Sequence, residues 1–148
     1  MTRHQYCTFT VAGSLYGVPV LDVQELLRTQ RMTPVPLAPK GVCGLINLRG
    51  QIVPALESRE RLCLPPRAAD APSMNVVLGT PTGPIAIVVD SIGDVVEVDD
   101  SALEPVPDTA NSPGKEQIVS ACKLDSCLLF VLDVSAITNA RASGAAHH

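Results

Sequence analysis

The sequence predicts a mainly β protein, two small strand-built lobes sharing one hydrophobic core, with very little helix. Three features predict it. Apolar residues recur with period two or in short runs, and glycine and proline interrupt those runs often. A polar, proline-containing stretch from Pro65 to Ser73 then parts the runs into two comparable sets. Roughly nine or ten short, evenly spaced strands result, which suits barrels or a sandwich better than an alternating βαβ sheet.

Taken in order, "CTFTV" alternates, with Cys7, Phe9 and Val11 on one face, and Ala12-Gly13-Ser14 signals a turn. "LYGVPVLDV" is a second strand, and Pro19 places part of it at an edge or irregularity because proline cannot donate to a ladder. "LDVQELLRTQ" reads as one or two helical turns with Val23, Leu26 and Leu27 on one side, and "TPVPLAP" as a proline-stiffened link. "VCGLINL" and "QIVPAL" flank Arg49-Gly50 as a strand–turn–strand unit, and "SRERL" forms a short helix. Beyond the 65–73 loop, "MNVVLGT", "PIAIVVDSI" and "DVVEV" are β-rich. A second loop runs from Asp99 to Lys115. "EQIVSACKL" and "CLLFVL" then form a hairpin, and Asp133 N-caps a closing helix. These readings give one domain over residues 5–140, with lobes at about 5–70 and 71–140. Residues 141–148 read as a flexible end or remnant.

Composition narrows the function. The chain has 148 residues, 46% hydrophobic and only 3% aromatic with no tryptophan, so the expected core is valine, leucine, isoleucine and alanine. A net charge of −4 without a basic patch argues against nucleic-acid or anionic-membrane binding. No apolar run is long enough to span a bilayer. The five cysteines form no CxxC and are odd in number, and the start carries no basic-then-apolar leader. A reduced, cytoplasmic protein whose cysteines act as small hydrophobes is expected, without disulfide, metal or cofactor.

Catalytic signals are missing too. His4, His147 and His148 lie at the chain ends, which leaves no interior histidine as a general base, and neither GxxxxGK[ST] nor GxGxxG occurs. Asp90, closing "IAIVVD", is expected to cap the next turn or pair with a cation. A non-enzyme is expected, with no catalytic residues. A pocket joining Asp90, Arg49 and Glu57 would instead suggest a small-molecule-binding β-barrel module or a minor hydrolase. Arg49 needs water or an acceptor for its charge and is read as pinning the strand–turn–strand unit, with Gly50 supplying the freedom the turn needs.

At "GLINLRGQIVPALESRERL" the sequence resembles the CheW family of chemotaxis coupling proteins. Gly44, Asn47, Leu48, Arg49, Gly50, Ile52, Val53, Pro54 and Arg59 match the family pattern in order, and the likeness runs through "YGVPVLDVQELL", "TPVPLAP", "IVVDSIGDVVEV" and "LLFVLDVSAI". The resemblance implies two five-stranded β-barrels on a shared core. It further implies a non-enzymatic adaptor linking the cytoplasmic tips of chemoreceptors to the regulatory domain of a CheA-type histidine kinase. Rings with other CheW-like domains and recruitment to membrane-associated receptor arrays would follow. Carried over residue by residue, Val23, Glu25, Gly44 and Val95 are receptor-binding candidates, with Gly44 giving a partner helix close approach. Asn47, Leu48, Arg49, Gly50 and Pro54 form the structural motif.

The chain also departs from the family pattern. Glu57-Ser58-Arg59 stands for Asp-Leu-Arg, Pro19 for a common acidic residue, and Ala86 for a frequent glycine. These departures leave open a parallel chemosensory system serving surface sensing, twitching or second-messenger control.

Overall fold

The computed structural model describes residues 2–28, 31–38, 41–106 and 115–139. In chain order the elements are β1 (Arg3–Val11), β2 (Ser14–Pro19), β3 (Val23–Arg28), β4 (Val42–Leu48), β5 (Gln51–Glu57) and α1 (Ser58–Arg61). There follow β6 (Met74–Thr80), β7 (Gly83–Val89), β8 (Ser91–Asp99), β9 (Leu103–Glu104), β10 (Ile118–Lys123), β11 (Leu128–Leu132) and α2 (Val134–Thr138). The mainly β class is correct. As expected, Asp133 caps α2, its carboxylate accepting the Ser135 N–H at 3.0 Å.

Two sheets form, but they do not divide the chain at residues 65–73. One is six-stranded in the order β8-β1-β2-β11-β10-β9; the other is five-stranded in the order β3-β6-β7-β5-β4. The expected lobes 5–70 and 71–140 therefore give way to a nested arrangement. Residues 23–89 build the five-stranded sheet, and the segments on either side of them build the other. Pairing is the reason. β1 lies antiparallel to β8, and β2 runs parallel to β11 with Tyr16 opposite Phe130, so the first strands take their partners from beyond residue 90. The Pro65–Ser73 stretch only links β5 to β6 within one sheet. The expected end at 141–148 lies outside the described residues.

A second correction concerns "LDVQELLRTQ". Val20–Asp22 is a single turn of 3-10 helix and Val23–Arg28 is strand β3, not helix. Val23, Glu25 and Leu27 are half-buried while Gln24, Leu26 and Arg28 are exposed. A bulge between Val23 and Glu25 puts Val23 and Leu26 opposite shared-core Leu78 and Val76, and Leu27 on the other face. Six residues with apolar side chains at several spacings fit either period. The neighbouring β6 supplies the ladder that decides it.

The main core joins the sheets: Phe9, Val11, Tyr16 and Val18 from one meet Leu56, Val76, Leu78 and Ile87 from the other. Smaller clusters fill the far side of each sheet, around Ile46, Val53, Val77 and Val88 in one and Tyr6, Cys122 and Leu129 in the other. On β6, Val76 and Leu78 face the shared core while Val77 faces the smaller cluster. β7 alternates likewise, with Ile87 and Val89 against Ala86 and Val88. Strands covered on both faces read as unbroken apolar runs, which accounts for "VVL" and "IAIVV". The few aromatic residues are not peripheral, since Phe9, Tyr16 and Phe130 lie in ring contact along the shared core.

Candidate interaction surface

The β4–β5 hairpin turns at Arg49 and Gly50, both at positive φ (51° and 85°). This is the twist that a two-residue hairpin loop requires, and Gly50 meets it without a Cβ penalty. The Asn47 side-chain oxygen accepts the Gly50 N–H at 3.0 Å and holds the turn. Leu48 points half-buried toward the smaller cluster. Pro54, opposite Leu45, ends the stretch of β5 before pairing with β7 begins at Ala55, so its missing N–H costs the β5–β7 ladder nothing.

Arg49 finds the acceptor its charge needs in a carboxylate outside the hairpin. Its guanidinium reaches β3, donating from Nη1 to Glu25 Oε1 at 2.8 Å and from Nη2 to Glu25 Oε2. The pair is bidentate, and it joins strands at opposite edges of the five-stranded sheet. The sheet must therefore curl until those edges approach. The link before β4 supports the same closure: Thr33 and Leu45 exchange both backbone hydrogen bonds at 2.9 Å. Hydrogen bonding to Arg49 holds the Glu25 carboxyl below its usual range, against a smaller opposing effect of desolvation.

The four receptor-binding candidates occupy unlike places. Val23 is half-buried opposite Leu78 and packs on the shared core. Glu25 faces Arg49. Gly44 is buried, and a Cβ there would stand 2.9 Å from Met32 Cβ and 3.1 Å from the Thr33 carbonyl oxygen. The close approach that this glycine permits is thus made by the chain's own link. Val95 alone of the four is open, 54% exposed on edge strand β8. It lies opposite Cys7, a shared-core residue, so it extends that core's face beyond its covered part.

Leu26 was not singled out by the sequence, yet it does the same on the other sheet. It is 45% exposed on edge strand β3, directly opposite core residue Val76. The bulge after Val23 keeps Leu26 on the same face as Val23 and turns Leu27 to the other, a division that the helical reading of "VQELLR" merges. β8 packs against β6, the neighbour of β3, and both apolar side chains stand at the margin of the shared core.

Arg49 is engaged with Glu25, whereas Asp90 and Glu57 share Arg67 elsewhere, so the three do not converge on one pocket. Burial pushes the Cys43 thiol up to about 11, which keeps it a thiol at neutral pH. Cys7 and Cys122 are buried as expected of small hydrophobes, but Cys63 and Cys127 are exposed, as is Cys43 taken as a whole residue although its thiol turns in to the Ala55 carbonyl. Among the described residues no three His, Cys, Asp or Glu gather as metal ligands.

The family model of the CheW-like domain matches residues 5–142. The chain belongs to the CheW-like family. Chemotaxis protein CheW of Bacillus subtilis (strain 168) is 28% identical over 145 residues, spanning 98% of this chain and 93% of that one. Chemotaxis protein CheW of Treponema pallidum (strain Nichols) is 29% identical over 138 residues, covering 89% and 80%. The crystal structure of the CheW scaffolding protein from Thermoanaerobacter tengcongensis superimposes with a TM-score of 0.80 over 89% of this chain and 90% of that one. At 23% identity it establishes the two-lobed CheW fold, which the two sheets and their common core display.

Proposed function

We propose that the chain is a non-enzymatic adaptor of bacterial chemotaxis signal transduction, coupling the cytoplasmic tips of chemoreceptors to the regulatory domain of a CheA-type histidine kinase. The observation that carries the receptor side is the pair Leu26 and Val95, exposed apolar residues on core-facing sides of the two sheets' edge strands. Exposed apolar side chains of this kind suit the apolar stripe of a helical hairpin. Glu25 and Val23 lie on the same strand as Leu26, while Gly44 acts by letting the link close on β4. On this reading the chain works in the cytoplasm, recruited to membrane-associated receptor arrays, where rings with other CheW-like domains form. Among the described residues no helix is long and apolar enough to cross a membrane.

Val95→Asp tests the reading. The variant should unfold at the wild-type urea midpoint yet bind a chemoreceptor cytoplasmic hairpin fragment about tenfold or more weakly, measured by calorimetric titration. Unchanged affinity in a folded variant would remove Val95 from the interface. Loss of folding would reassign Val95 to the core.

A further inference from the structure

The chain passes between the two sheets twice, through the 3-10 turn after β2 and through one residue, Asp90, between β7 and β8. Asp90 is held from both sides. From the six-stranded sheet, the Ala12 N–H donates to Oδ2 at 2.8 Å, and the Asp90 N–H donates to the Thr10 carbonyl at 3.0 Å. From the segment that follows β5 come two arginines. Arg59 donates from Nε to Oδ1 at 3.2 Å and from Nη2 to Oδ2 at 2.8 Å. Arg67 donates from Nε and Nη2 to Oδ1 at 2.9 and 2.7 Å.

The same arginines secure their own loop. Arg67 Nη1 reaches Glu57 Oε1 at 2.5 Å, and Arg59 Nη1 reaches the Pro65 carbonyl at 3.0 Å. Glu57 is anchored in turn, its Oε2 accepting the Arg59 N–H at 3.1 Å. Two carboxylates thus face two guanidiniums, all largely covered, at the point where the chain changes sheets.

Apolar contact across the shared core is non-directional, so it holds the sheets together without fixing their angle. Forked arginine–carboxylate bonds are directional. A one-residue crossing is also where a hinge would lie. We propose that Asp90, Arg59 and Arg67 are positioning residues: they latch the angle between the two sheets and thereby set the spacing of Leu26 and Val95 for the partner helix, which they do not touch.

The effect on binding rests on the adaptor reading above; the latch itself does not. Backbone residual dipolar couplings of the full chain, fitted for each sheet separately, report the angle between the sheets with no partner present. In Arg67→Gln and Asp90→Asn, each sheet should keep its own couplings while the relative orientation shifts or averages. Affinity for a chemoreceptor hairpin fragment should fall about 3- to 10-fold with Leu26 and Val95 intact. Arg67→Lys, which retains charge but not the fork, should fall between wild type and Arg67→Gln, and it decides the matter if the other two fail to fold. Wild-type orientation in every folded variant would overturn the latch. A changed orientation with unchanged affinity would overturn its positioning role. If the fragment binds not even the wild type, the adaptor reading fails, and the couplings still decide the latch.

Discussion

Two arginine–carboxylate sites in this molecule use the same chemistry in opposite settings. Arg49 meets Glu25 at the rim of the five-stranded sheet with its side chain 71% exposed, whereas Arg67 meets Asp90 and Glu57 at the sheet crossing with 9% exposed. Both contacts are multidentate. At the rim, water offers each charge nearly as good a partner, so the pair contributes little on balance. At the crossing, removing one member strands the others where water reaches them poorly. Placement, not pairing, separates the two.

The largest effect that would test this contrast is at Asp90. Asp90→Ala leaves Arg59 and Arg67 without their shared acceptor and should cost on the order of 3 kcal/mol in urea unfolding at neutral pH. The pH dependence should identify the same group. Burial works against ionisation of Asp90, but the bonds from Arg59, the Ala12 N–H and Arg67 outweigh it and hold its carboxyl at about 2 rather than 3.8. A carboxyl depressed on folding stabilises above its unfolded value, and that contribution is lost as pH falls toward the folded one. About 2 kcal/mol should therefore disappear between roughly pH 5 and pH 2, and Asp90→Ala should flatten that part of the profile. An equally steep loss in the variant would mean that another carboxyl is responsible.

How much of this was legible in the sequence depended on range. Alternation and turn chemistry are local, and they located the hairpin at Arg49-Gly50, the short helix at Ser58 and the cap at Asp133. The nested sheets were not legible. Nothing within "SLYGVP" indicates that it pairs with "LLFVL" more than a hundred residues later. For the same reason neither the β3 carboxylate that Arg49 meets nor the Met32 and Thr33 atoms packed over Gly44 can be read from the residues beside them. Val95 was found only through the family resemblance. Ser58 shows the converse. It departs from an apolar family position and is fully buried, with no hydrogen-bond partner for its hydroxyl among the described residues.

An intermediate effect is expected at Gly44, where backbone packing rather than charge closes the five-stranded sheet. In Gly44→Ala the new methyl meets Met32 Cβ and the Thr33 carbonyl, neither of them the free end of a flexible side chain. The link must shift, and the Thr33–Leu45 bridge with it. A loss of about 1–3 kcal/mol in urea unfolding is expected. Faster amide exchange at Thr33 and Leu45 should accompany it. Weaker receptor-hairpin binding at undiminished stability would restore Gly44 to the partner's surface.

The smallest effect should come from Arg49→Met, which keeps an unbranched stem on the hairpin and removes only the charge. If the Thr33–Leu45 bridge and the packing over Gly44 hold the sheet closed, Glu25 merely returns to water. The urea midpoint should then move less than in Gly44→Ala. What difference there is should shrink further in molar salt, since the wild-type pair is open to screening. A midpoint shift as large as that of Asp90→Ala would abolish the contrast between rim and crossing, because an exposed pair would be carrying a buried pair's burden. A stable variant with weakened hairpin binding would instead place Arg49 among the residues that face the partner, and closure of the sheet would belong to the link alone.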